Sequence, residues 1–84
     1  MNKRKLLAKA LSSPQSIRFR EMVTLAEAFG FRLSRVSGSH HIFVHPLVRE
    51  LVNLQNVRGY AKPYQVRQFL WLVEHYDLKM GDES

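Results

Sequence analysis

The middle of the chain changes period, and that change limits the fold more than any other feature. From Phe31, "FRLSRV" alternates apolar and polar residues, "SGS" marks a turn, "HHIFVH" is β-branched and aromatic until Pro46 ends it, and "LVNLQNV" repeats the strand chemistry. Three strands in immediate succession read as an antiparallel meander. On either side the period is helical. Met22, Val23, Leu25, Ala26 and Phe29 recur at helix spacing until Gly30 supplies a stop. Lys62 and Pro63 open a second run, in which Val66, Phe69, Leu70, Leu72 and Val73 form the apolar stripe. Ahead of both, residues 3–11 place Leu6, Leu7, Ala10 and Leu11 on one side and lysines on the other; a helix this short is marginal alone, so it should dock or fray. "SSPQS" follows as a linker-like break. The expectation is an α+β fold of order α-β-β-β-α, with a three-stranded antiparallel sheet, helices on one face and a short extra N-terminal helix. Residues 1–15 read as a basic arm, 16–79 as the domain and 80–84 as a disordered tail.

At 84 residues the chain buries one modest core, so a large substrate has to be met at the surface. The absence of cysteine removes disulfides and thiolate metal sites and is compatible with the cytoplasm. The basic start has its apolar stretch broken by Lys9, and it reads as neither a signal peptide nor a membrane span. A membrane-surface arm at residues 1–11 would lack an aromatic anchor. The formal charge of +6 is segregated. Lys3, Arg4, Lys5, Lys9, Arg18 and Arg20 stand without an acid in the first 20 residues, and Arg32, Arg35, Arg49, Arg58, Lys62 and Arg67 face only Glu50 between Ala28 and Val73. Such clustering suits a polyanion footprint, because cations gain by releasing counterions condensed on phosphates. It also suits an ordinary solvated face. The predicted architecture is one used for double-stranded RNA recognition, although fold alone does not assign a function.

Three of the four histidines fall within "SGSHHIFVHP". On a strand His40, Ile42 and Val44 point one way and His41, Phe43 and His45 the other. With the Ile42/Val44 side toward the helices, His40 sits at the mouth of the strand beside the turn. His41 and His45 lie about 13 Å apart along a strand, too far to share one ion with bonds of about 2 Å, so this strand alone makes no metal site; one borrowing His75 stays open. His41, His45 and His75 read as surface or cap histidines, with His75 a helix C-terminal cation.

His40 differs in its setting. Gly38 allows close backbone approach, Ser39 offers a hydrogen bond, Arg35 lies beside the turn, and Lys62 lies across the sheet. An imidazole of ordinary pKa about 6.5 exchanges protons with a ribose 2′-hydroxyl or a leaving oxygen near neutral pH, and nearby cations stabilise charge on the phosphate. RNA can thus be cut with no metal, no cofactor and no protein nucleophile. The candidate set is His40 for chemistry and Gly38, Ser39, Arg35, Lys62 and Arg67 for RNA. Tyr60 and Tyr64 offer base-stacking surfaces, although tyrosines beside a helix start are more often packing residues.

"AEAFGFRLSRVSGSHHIFVHP", followed by "LVNLQ" and "AKPYQVRQFL", resembles the HicA-type mRNA interferase toxins of bacterial toxin–antitoxin systems, small ribonucleases with a double-stranded-RNA-binding-domain-like fold. The likeness covers about residues 20 to 78, and its most specific part is the progression helix–Gly–strand–Gly-Ser-His–strand–His-Pro, with Lys-Pro opening the final helix. It implies that His40 is the catalytic histidine, with Gly38 and Ser39 in the other two places of the motif. It further implies mRNA cleavage, growth inhibition and neutralisation by a HicB-type antitoxin that covers the active site. Two features depart from the family pattern. The chain carries about nineteen residues ahead of the first family helix, and "LQNVRGYAKPYQ" is not the usual short link from strand to helix. Two readings follow from different classes: a metal-independent endoribonuclease, and a non-catalytic RNA-binding module on the same scaffold. Cleavage in chelator that is lost on changing His40 separates them.

Overall fold

The computed structural model describes residues 2–81. Helix α1 (Lys3–Ser12) and a 3₁₀ turn (Pro14–Ser16) lead into α2 (Phe19–Ala28); strands β1 (Arg32–Ser37), β2 (His40–His45), β3 (Val48–Val57) and β4 (Tyr60–Ala61) follow, and α3 (Pro63–His75) closes the chain. The sheet is antiparallel throughout, in the order β1-β2-β3-β4. The expected α+β meander is present, with the two-residue β4 added to it.

Two-residue turns set the register. Ser37 pairs with His40, so Gly38 and Ser39 form the first hairpin loop, with a positive φ (+61°) at Gly38 only, the pattern of a type II′ turn. Arg58 (φ +55°) and Gly59 (φ +88°) link β3 to β4 with both residues left-handed, as a type I′ turn requires, and Asn56 Oδ1 accepts the Gly59 N–H at 2.8 Å. This hairpin is why the link between "LVNLQ" and Lys-Pro is long.

One expectation of orientation is reversed. Phe43, not the Ile42/Val44 pair, faces the helices, because its cross-strand row continues through the buried Val52 and Leu54. A buried phenylalanine removes more apolar surface from water than half-buried aliphatics, and the strand's period of two carries His41 and His45 with it. Both rings are apolar enough to tolerate that side: His41 packs on Phe19 (4.7 Å between centroids) and His45 on Phe31 (4.9 Å). His40, Ile42 and Val44 therefore lie on the open face.

The core joins Met22, Leu25 and Ala26 of α2 and Val66, Phe69 and Leu72 of α3 to Phe43, Val52 and Leu54. Helix α1 forms a further layer on α2 and α3. It docks rather than frays: Leu6 and Ala10 are buried, Asn2 caps it by accepting the Lys5 N–H, and Lys9 Nζ reaches Glu21 at 3.1 Å. Glu21 also accepts the Arg18 N–H at 2.9 Å and so caps α2. That backbone bond first, and Lys9 second, hold the Glu21 carboxyl below its ordinary range. Of the expected tail, Met80 packs against the core and the Gly81 N–H donates to the Ala28 carbonyl at 3.0 Å, while residues 82–84 lie outside the described residues. No described helix is long and apolar enough to cross a membrane.

Candidate functional site

The open face of the sheet is built by alternation. Arg32 and Arg35 of β1 pair with Val44 and Ile42 of β2, and Ile42 pairs in turn with Asn53 of β3. His40 opens β2 at one end of this face, opposite Ser37 on β1 and Gln55 on β3. It is half-buried, and its Nδ1 lies 3.2 Å from Asn53 Oδ1. Asn53 has no counterpart among the residues singled out from sequence. Its signal was the alternation itself: between buried Val52 and Leu54, residue 53 must share the face of His40.

Gly38 and Ser39 form the exposed turn next to His40. A Cβ at Gly38 would meet no heavy atom within 4 Å, so the positive φ rather than crowding within the chain calls for glycine here. Lys62 follows Ala61, whose partner is Asn56, and thereby extends the row Ser37–His40–Gln55 to the far edge of the sheet. Two strand spacings, roughly 10 Å, separate it from His40 along that row. Behind the row, Gln65 Oε1 of α3 accepts the Gln55 N–H at 2.8 Å, fixing the start of α3 against this end of β3. Arg67 lies elsewhere: it lines an apolar groove of about 550 Å³ between α1 and α3, with Leu11, Leu70 and Trp71, in the helix layer on the other side of the sheet. Gly38, Ser39, Arg35 and Lys62 thus share the face or the end of the sheet that holds His40, and Arg67 does not.

The charge of this face is one-sided. Glu50 is the only acid in the four strands, and the Tyr76 hydroxyl on the helix side donates to its carboxylate at 2.6 Å. That bond pushes the Glu50 carboxyl below its ordinary range and the Tyr76 phenol above its own. No strand carboxylate therefore opposes an anion laid along Arg32, Arg35 and His40. The face is also partly apolar, with Leu51 about half exposed beside Ile42 and Val44.

The remaining histidines are held by packing. His41 and His45 are half-buried rather than free surface groups, and His45 Nδ1 accepts the Leu47 N–H at 3.0 Å, capping the turn at Pro46. His75 ends α3, exposed and stacked on Trp71 with 4.6 Å between centroids. Among the described residues no three His, Cys, Asp or Glu side chains gather in a group that would hold a metal ion. Tyr60 carries the Arg18 guanidinium over its ring at 4.8 Å, and Tyr64 the Lys62 ammonium at 5.8 Å.

A family model described as the HicA toxin of bacterial toxin–antitoxin systems matches residues 19–72. The chain belongs to the HicA toxin family. The match runs from the first residue of α2 to the core residue Leu72 of α3, so it contains the whole sheet and His40, while α1 lies outside it. The protein is thus a toxin of a toxin–antitoxin system, and an antitoxin is its partner. No curated protein matches the chain.

Proposed function

We propose that this HicA-family toxin is an endoribonuclease that cleaves mRNA without a metal or cofactor, using His40 as its general acid or base. The ribose 2′-hydroxyl attacks the adjacent phosphorus, the bond to the 5′-oxygen breaks, and the products are a 2′,3′-cyclic phosphate and a 5′-hydroxyl. His40 takes the proton from the 2′-hydroxyl or returns one to the leaving oxygen. Arg35 and Lys62 supply positive charge to the phosphate, with Gly38 and Ser39 offering backbone and hydroxyl contacts at the turn.

The observation that carries this reading is the position of His40: an imidazole at the accessible end of a sheet face that carries arginines and no strand carboxylate. An RNA backbone is the polyanion such a face suits. The partner is read as a HicB-type antitoxin whose acidic or extended segment covers the same face, the exposed Leu51 giving it apolar area to bury. The site of action is the cytoplasm, where mRNA is found.

Inducible expression in a bacterial host tests the reading. The wild-type chain should arrest growth with loss of transcripts, His40→Ala should accumulate without effect, and co-expression of the neighbouring antitoxin gene should restore growth. Folded wild-type protein that leaves growth and transcripts untouched would overturn the cleavage reading in favour of an RNA-binding module.

A further inference from the structure

The 3.2 Å contact between His40 Nδ1 and Asn53 Oδ1 has a chemical direction. An amide oxygen only accepts, so with Asn53 Oδ1 turned to the ring this contact is a hydrogen bond when the proton is on Nδ1 and the lone pair on Nε2. We propose that Asn53 is a positioning residue of this site, holding His40 in the tautomer whose free Nε2 takes up the 2′-hydroxyl proton. The inference rests on the acid–base reading of His40 and narrows it to one nitrogen.

Three properties of the pair favour an amide at this place. Neutral histidine side chains in water prefer the opposite tautomer, with the proton on Nε2, so the ring needs a partner to reverse the preference. The bond also survives the reaction: once Nε2 has taken a proton, the imidazolium still donates from Nδ1 to the same oxygen, so His40 need not reorient between its basic and acidic forms. Finally, an amide orients the ring without fixing its charge. A carboxylate at position 53 would favour the imidazolium and keep Nε2 protonated near neutral pH. The other polar neighbours are Ser37 opposite on β1, Arg35 further along that strand, and Gln55 opposite on β3, with Gln65 of α3 bonded behind Gln55. None is an acid, so nothing else in the row supplies a negative charge to the ring. The position of Asn53 is itself fixed, because buried Val52 and Leu54 on either side lock the register of β3.

Nitrogen-15 NMR of the histidine rings, recorded under alkaline conditions that leave imidazoles neutral, reads the tautomer without any need for cleavage. His40 of the wild type should show a protonated Nδ1 and an unprotonated Nε2, and Asn53→Ala should shift the ring toward the Nε2-protonated form. In single-turnover cleavage, Asn53→Ala should lower the rate by roughly 10- to 100-fold, with RNA affinity little changed. Asn53→Asp should move the acidic, rising limb of the pH–rate profile, on which His40 must lose a proton to act as the base, to higher pH. A wild-type His40 protonated on Nε2, an Asn53→Ala protein with unaltered tautomer and cleavage rate, or an Asn53→Asp protein with an unaltered pH profile would overturn the inference. Cleavage that persists in His40→Ala while the wild-type ring shows the expected tautomer would instead overturn the catalytic assignment of His40 and leave the Asn53 contact standing.

Discussion

His40 and His41 are neighbours in the chain with opposite surroundings, and single substitutions should separate them. The His40 ring lies on the open face and makes one side-chain hydrogen bond, so its loss should leave the unfolding midpoint nearly unchanged. His41 and His45 pack, tilted, against Phe19 and Phe31, and aromatic pairs of this kind contribute about 0.5–1.5 kcal/mol. His41→Ala and His45→Ala should each lose about that much stability in urea unfolding while keeping most RNA cleavage under conditions where they are folded. Loss of cleavage without loss of stability in either would contradict the packing role. Gly30 belongs to the same scale. Its φ of +94° strains any other residue, and a new Cβ would stand 3.0 Å from His45 Nε2, so the packed His45 ring would have to give way. Gly30→Ala should destabilise the fold by at least about 1–2 kcal/mol, measured in the same titration.

At the scale of elements, Glu21 joins two helices, capping α2 through the Arg18 N–H and pairing with Lys9 of α1. Its carboxyl titrates lower in the folded chain than in the unfolded one, so the contribution is complete above the ordinary value of 4.5 and is lost as pH falls through the lower folded value. Glu21→Gln should therefore be less stable than wild type at pH 6, by up to about 1 kcal/mol, and the gap should close in acid. A gap independent of pH would show that charge has no part in the cap. The helices and three of the strands were legible in the sequence because each is long enough to show its period. β4 was not, since two residues carry no period. The orientation of β2 was hidden because two polar-looking histidines flank Phe43, and only the cross-strand row through Val52 and Leu54 identifies its buried side. His40 was legible from its turn, whereas Asn53 became visible only through register. Arg67 shows the reverse limit: its charge could be read, but not the layer to which its helix carries it.

For the whole molecule, separating the two sides of the sheet makes the basic charge divisible. Lys3, Arg4 and Lys5 belong to α1 in the helix layer, while Arg35 and Lys62 belong to the face and end of the sheet that hold His40. With His40→Ala used to prevent cleavage, affinity for single-stranded RNA should fall steeply as salt rises. Replacing Arg35 or Lys62 by alanine should reduce the slope of log affinity against log salt by roughly 0.7 for each phosphate no longer neutralised. Charge reversal at Lys3, Arg4 and Lys5 should change it much less. An α1 variant with the larger effect would move the RNA footprint to the helix layer. The role of α1 is instead in packing: Leu6→Ala, at a fully packed position, should lower stability by about 2–5 kcal/mol even though the family match begins after it.

The most direct measurement is cleavage of RNA by purified wild-type and His40→Ala protein, both shown to be folded, in the presence of chelator. The wild type should cut, and the variant should be slower by about 10²- to 10⁴-fold, the range for losing a general acid–base group. Equal cleavage by the two proteins, or wild-type cleavage that vanishes in chelator and returns with zinc, would contradict the assignment of the chemistry to His40.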